Sequence, residues 1–185
     1  MMYNNKTLAG ALMFFGTAVF LMGIIVSEAL FPGYTVSRML SDLGVGSTAI
    51  IYNSGIFISG ILLIVSAFLL RKEGVNIFFA VLMTLAGLGA AGVGLFPENI
   101  VIPHTIAAMT VFICGGIAAI LSARVFRTPW AWFSILLGII TLAALVLLGA
   151  KIYLGLAEGG MERMIAYPFI IWALGTGGYL MAAEK

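Results

Sequence analysis

A chain of 185 residues that is 63% hydrophobic and 9% charged cannot clothe a soluble surface, since ordinary soluble domains carry about 25% charge. A formal net charge of +2 gives no electrostatic footprint for nucleic acid, and Cys114, the single cysteine, excludes an intrachain disulfide or a cysteine-based zinc site. The length suits one domain (residues 1–185), and the composition makes it a membrane domain.

A helix crosses the hydrocarbon core with about 20 apolar residues. The first such run, 8–30, follows Lys6 as a signal peptide would. It is too long for a signal core and no small-x-small site follows it, so it reads as a retained span. Further spans are predicted at 50–70, 76–96, 104–123, 130–150 and 164–182. Turn formers and charges separate them: Pro32-Gly33, Arg71-Lys72-Glu73-Gly74, Pro97-Glu98-Asn99, Arg127-Thr128-Pro129 and Glu158-Gly159-Gly160. Pro168 should bend the last helix without ending it. The fold class is therefore all-α, an integral membrane bundle of six transmembrane helices.

Orientation follows from the basic residues. Lys6, Arg71, Lys72, Arg124, Arg127 and Lys185 fall on one side; Arg38, Lys151 and Arg163 fall on the other. The positive-inside rule then places both termini in the cytoplasm, N-in and C-in, in a multi-pass protein of the cell membrane. Glu28, Asp42, Glu98, Glu158, Glu162 and the only histidine, His104, lie outside, while Glu73 and Glu184 lie inside. Glycines within the spans (Gly87, Gly89, Gly92, Gly94, Gly115, Gly116, Gly175, Gly177 and Gly178) are expected to let helices approach closely, in this bundle, in a homo-oligomer or with other membrane helices.

The first outer loop, 31–49, holds Arg38, Ser41 and Asp42 within five residues. Val36, Met39, Leu40 and Leu43 have helical spacing, which predicts a short interfacial helix, with Asp42 either capping a turn or serving a site. In the second outer loop, Pro103 suits the first turn of a helix and sets His104 at the membrane surface, within reach of Glu98. Histidine there is a hydrogen-bonded structural group, a proton carrier or a metal ligand. Glu162 and Arg163 open the last span. Glu162 suits the positive end of that helix, whereas Arg163 opposes it and needs an acidic partner, with Asp42, Glu98 and Glu162 as candidates.

Three helix N-termini face the same outer surface as these residues. Asp42, Glu98, His104 and Glu162 are the candidate catalytic groups, and Arg38, Arg163 and Ser41 the candidate anion-binding groups. Asp42, Glu98 and His104 would be the ligands of any divalent metal cofactor.

At Ser41-Asp42-Leu43-Gly44, Phe96-Pro97-Glu98, His104 and Gly160-Met161-Glu162-Arg163, the chain resembles the prokaryotic membrane family catalogued as domain of unknown function 998. The likeness runs over nearly the whole chain, with Glu98 where that family often has Asp. It implies a six-helix fold and a membrane location, and it supplies no reaction, cofactor or catalytic residue.

Three functions stay open on the sequence. The first is an outward-facing site that binds or modifies an anionic or polyprenyl lipid headgroup, as an enzyme or a binder, with membrane lipids as partners. The second is a small transporter or channel, for which the mid-span polar residues Ser59, Ser66, Thr84, Thr110 and Thr141 are mild candidates. The third is a non-catalytic scaffold for other membrane helices.

Overall fold

The computed structural model describes residues 4–182, and every regular element in that range is helical. Glu184 and Lys185, which entered the charge count, lie outside those residues. Six helices are long and apolar enough to cross a membrane: α1 Asn5–Leu30, α2 Ala49–Lys72, α3 Ile77–Leu95, α4 Val101–Ser122, α5 Trp130–Gly149 and α6 Ala157–Ala182. This is a multi-pass membrane protein.

Five of the helices end within a few residues of the predicted spans. The sixth starts seven residues before 164, because Glu158-Gly159-Gly160 is not a turn but the first turn of α6. The reason is tertiary: the Gly159 amide donates to the Ser37 carbonyl at 3.1 Å, so the first loop caps a helix that its own sequence would not start there. That loop also departs from the expected interfacial helix. Only a four-residue 3-10 helix forms, Ser41–Gly44. Leu40 and Leu43 are fully buried against the bundle rather than lying on its surface.

Each helix packs against its neighbours in chain order, α6 closes the ring on α1, and α6 also touches α4. Lipid offers no hydrophobic drive between helices, so close van der Waals contact must hold them together. Glycine makes that contact possible at almost every crossing. A methyl on Gly60 of α2 would meet the Gly87 carbonyl of α3 at 2.6 Å, and one on Gly138 of α5 would meet the Gly116 carbonyl of α4 at 2.6 Å. Gly10 and Gly177 do the same for α1 and α6, at 2.7 and 2.8 Å. Of the glycines singled out by sequence, Gly178 is the exception, with nothing within 4 Å.

Mid-span hydroxyls are used within the bundle. Ser66 donates to the Ala9 carbonyl at 2.9 Å, tying α2 to α1. Thr141 donates to the Ile165 carbonyl at 3.2 Å, in the turn of α6 that Pro168 loosens. Thr84 and Thr110 bond back to carbonyls of their own helices. Trp172 is fully buried and donates its indole N–H to Ser122 at 3.2 Å.

The short turn 73–76 places the end of α2 and the start of α3 at one end of the bundle, and alternation puts the end of α4 there too. Arg71, Lys72, Arg124 and Arg127 make this the basic end. The opposite, acidic end carries Glu28, the loop 31–48, Glu98, His104 and the start of α6.

Candidate functional site

The acidic end is organised by two side chains of α6. Arg163, 9% exposed, spreads its guanidinium beneath the first loop. Its Nη1 donates to the carbonyls of Val36, Arg38 and Gly159 at 3.0, 2.9 and 2.9 Å. Its Nη2 donates to Glu28 Oε1 at 2.5 Å and to the Tyr34 hydroxyl at 2.8 Å. The Tyr34 hydroxyl in turn donates to the Met39 carbonyl at 2.8 Å. Burial pushes the Tyr34 phenol up to about 12, against the pull of Arg163, so it stays a donor at neutral pH. Arg163 thus finds its acidic partner in Glu28, at the end of α1, and not in Asp42, Glu98 or Glu162.

One residue earlier, Glu162 accepts from the backbone N–H of Leu40, with the amide and hydroxyl of Ser41 beside the same carboxylate. Its carboxylate therefore caps the 3-10 helix Ser41–Gly44 from across the molecule, a role the sequence suggested for Asp42. Asp42 instead accepts from Arg38 Nε at 2.9 Å, a partly exposed i,i+4 pair, with the Arg38 guanidinium 5.1 Å from the Phe31 ring centre. The rest of the loop is tied down as well. Thr48 donates to the Leu43 carbonyl at 3.0 Å, and Asn53 donates to the Gly44 carbonyl at 2.9 Å.

Beneath this loop lies a pocket of about 320 Å³ between α4, α5 and α6. Its polar groups are Ser41, Glu98, His104, Thr105 and Glu162; Met109, Phe112, Leu145 and Leu148 supply apolar wall. Val101 and Met109 on its rim are exposed on the outside of a membrane span, so the pocket meets the lipid-facing surface. His104 Nδ1 lies 2.9 Å from the Phe96 carbonyl. A carbonyl can only accept, so Nδ1 carries the proton and Nε2 of the neutral ring is an acceptor. Glu98 Oε2 is buried and has no hydrogen-bond partner among the described residues. Such an oxygen is costly to leave unpaired.

Ser41, His104, Phe112 and Glu162 also border a second cavity of about 60 Å³ inside the bundle, where Thr17, Tyr52 and Ser59 supply the other polar groups.

Of the candidates named from sequence, Ser41, Glu98, His104 and Glu162 come together in one pocket. Asp42, Arg38 and Arg163 do not line it. Asp42 is held at the surface by Arg38, and both Nη atoms of Arg163 are engaged by Glu28, Tyr34 and three carbonyls. The suggested metal ligands Asp42, Glu98 and His104 accordingly do not converge. Among the described residues no three His, Cys, Asp or Glu side chains gather closely enough to hold a metal ion.

Sequence reasoning missed Glu28 and Tyr34 as partners of Arg163, although a signal for Glu28 exists. A carboxylate at the C-terminal end of α1 and a guanidinium near the N-terminal end of α6 each oppose their own helix dipole. Each requires a counter-charge, and they supply it to one another.

No curated protein and no solved structure matches the chain. The model of the family described as protein of unknown function (DUF998) matches residues 14–178, and the chain belongs to that family.

Proposed function

We propose that the pocket between α4, α5 and α6 binds the polar end of a membrane lipid, on the outer surface of the cell membrane. The excess of Lys and Arg at the opposite end supports that orientation. The observation that carries the reading is Glu98. Its side chain lines a largely apolar pocket that meets the lipid-facing surface, and its Oε2, shielded from solvent, has no hydrogen-bond partner among the described residues. A lipid fits both halves of such a site, with its chain against Met109, Leu145 and Leu148 and its headgroup against Glu98, His104 and Glu162.

The chemistry of those three groups narrows the headgroup. Two carboxylates and an imidazole nitrogen that accepts favour a headgroup that donates hydrogen bonds, through hydroxyl or ammonium groups. An anionic headgroup would need the two arginines, and both are engaged elsewhere. If the site also performs chemistry, Glu98 and His104 are its proton-transfer groups.

The test is native mass spectrometry of the protein from mild detergent with equal phosphatidylethanolamine and phosphatidylcholine of matched chains. The wild type should retain the ethanolamine lipid at least tenfold better, the range of hydrogen bonds to charged groups. Glu98→Ala should abolish that preference without lowering the melting temperature, because Oε2 makes no protein hydrogen bond to lose. Equal retention of the two lipids by the wild type, or an unchanged preference in Glu98→Ala, refutes the reading.

A second reading draws on the inner cavity. Glu162 and His104 border both spaces, which puts ionisable groups between the surface and the bundle interior. A volume of about 60 Å³, lined by several polar groups, has room for water. On this reading the chain passes protons, and proteoliposomes should show a proton flux that Glu162→Gln abolishes. Liposomes no leakier with the protein than without it would exclude this second reading.

A further inference from the structure

We infer that two grooves flanking α3 at the basic end bind anionic phospholipid, with Arg124 taking the phosphate in one and Arg71 in the other. The first groove, about 550 Å³, runs between α3 and α4 along Phe78, Val81, Leu82, Leu121 and Val125, with Arg124 in its wall. The second, about 340 Å³, runs between α2 and α3 along Phe68, Ile77, Val81 and Leu85, with Arg71 in its wall. Val81 belongs to both, so the grooves lie on the two sides of one helix.

Their position matches the depth of a lipid. With 19 residues, α3 is about 28 Å long at ~1.5 Å per residue, close to the ~30 Å hydrocarbon core. Its first residues therefore lie near the headgroup level, where Arg71 at the end of α2 and Arg124 just beyond α4 can reach phosphate. The apolar walls are open to the bilayer: Phe78 is 72% exposed and Phe68 57%.

Charge decides the headgroup. Arg71 and Arg124 are exposed and, among the described residues, neither forms an ion pair. The one acid of the connecting turn, Glu73, is engaged by the Asn5 side-chain amide at 2.8 Å. Lys72 adds positive charge at the rim of the second groove, its ammonium 4.6 Å from the Phe68 ring centre. A guanidinium matches a phosphodiester with two parallel hydrogen bonds, and a cation between apolar helices at the interface recognises anionic lipid. Acyl chains would enter with any headgroup; the arginines discriminate among them. These grooves lie at the opposite end from the α4–α6 pocket, so the inference does not depend on the lipid proposed there.

The test is competition between phosphatidylglycerol and phosphatidylcholine of identical chains, read as lipid adducts in native mass spectrometry. The wild type should prefer phosphatidylglycerol, by roughly fivefold for each arginine, in up to two adducts, and the preference should shrink with added salt before ionisation. In a Glu98→Ala background, which removes any selection of hydroxyl donors by the α4–α6 pocket, Arg71→Gln/Arg124→Gln should bring the ratio to about one while lipid still binds. Each single substitution should remove part of the preference, which keeps the result readable if the double variant folds poorly. Equal retention of the two lipids by the wild type would overturn the inference. So would a preference that survives both substitutions, or a dimer that covers the grooves and excludes lipid.

Discussion

Replacing Arg163 with alanine should destabilise the protein by about 3–5 kcal/mol, the range for removing one member of a buried ion pair. Arg163 and Glu28 have side-chain exposures of 10% and 26%, so solvent screens the pair only weakly. The loss goes beyond one charge. The carbonyls of Val36, Arg38 and Gly159 and the hydroxyl of Tyr34 lose a donor together, and the first loop loses its tether to α6. Two readouts separate these effects. Thermal unfolding in detergent should show the global loss, and trypsin should cut sooner after Arg38, which is exposed in the loop that Arg163 holds. Arg163→Lys should recover only part of the stability. An ammonium keeps the attraction to Glu28 but has three donors on one nitrogen, and it cannot span Glu28, Tyr34 and the loop carbonyls as the planar fork does. Glu28→Ala added to Arg163→Ala should cost less than the sum of the two, since the second change removes a carboxylate already stranded. A melting temperature within a degree or two of wild type for Arg163→Ala would show that the loop is held by other contacts.

The same pair marks how far the sequence could be read. The spans were legible because hydropathy over some twenty residues is set by the bilayer and needs no tertiary information. The start of α6 was not, because Glu158-Gly159-Gly160 has the composition of a turn and becomes helical only through its contact with Ser37. Ser41 and Glu98 could be named as site candidates from their place in the outer loops, and His104 and Glu162 from theirs at outer helix ends, and the structure gathers the four in one pocket. Asp42 had the same credentials, but an arginine four residues earlier competes for it locally, and a local pair forms without any help from the fold. Leu40 and Leu43 have the spacing of a surface helix. Their burial depends on Glu162 holding the Leu40 amide from 122 residues away, and no local pattern encodes that. Arg163 illustrates the intermediate case. Its mismatch with the helix dipole announced that a partner was needed, and applying the same test to Glu28 would have named it.

Two alanine substitutions in α6 should have opposite signs, which isolates the docking of the first loop from helix propensity. Glycine to alanine inside a helix ordinarily stabilises by about 1 kcal/mol. A methyl on Gly178 would meet nothing within 4 Å, so Gly178→Ala should show that gain, or at least no loss. At Gly159 the methyl would fall inside the Arg38 carbonyl and 2.8 Å from the Ser37 carbonyl carbon. These neighbours are backbone, so no side-chain rotation can relieve the overlap, and either the loop or the start of α6 must move. Overpacking alone costs about 1–3 kcal/mol. Here the shift also pulls on the Gly159–Ser37 bond, the Glu162–Leu40 bond and two of the carbonyls under Arg163, each worth about 1 kcal/mol. Gly159→Ala should therefore lose about 3 kcal/mol or more in spite of its better propensity, and it should expose Arg38 to trypsin as Arg163→Ala does. The consequence reaches the pocket as well, because Ser41 and Glu162 are positioned by the contact that the methyl would disrupt. Preference for the ethanolamine lipid should weaken in Gly159→Ala and persist in Gly178→Ala. Equal stability of the two variants would mean that the first loop rests on α6 without being locked to it.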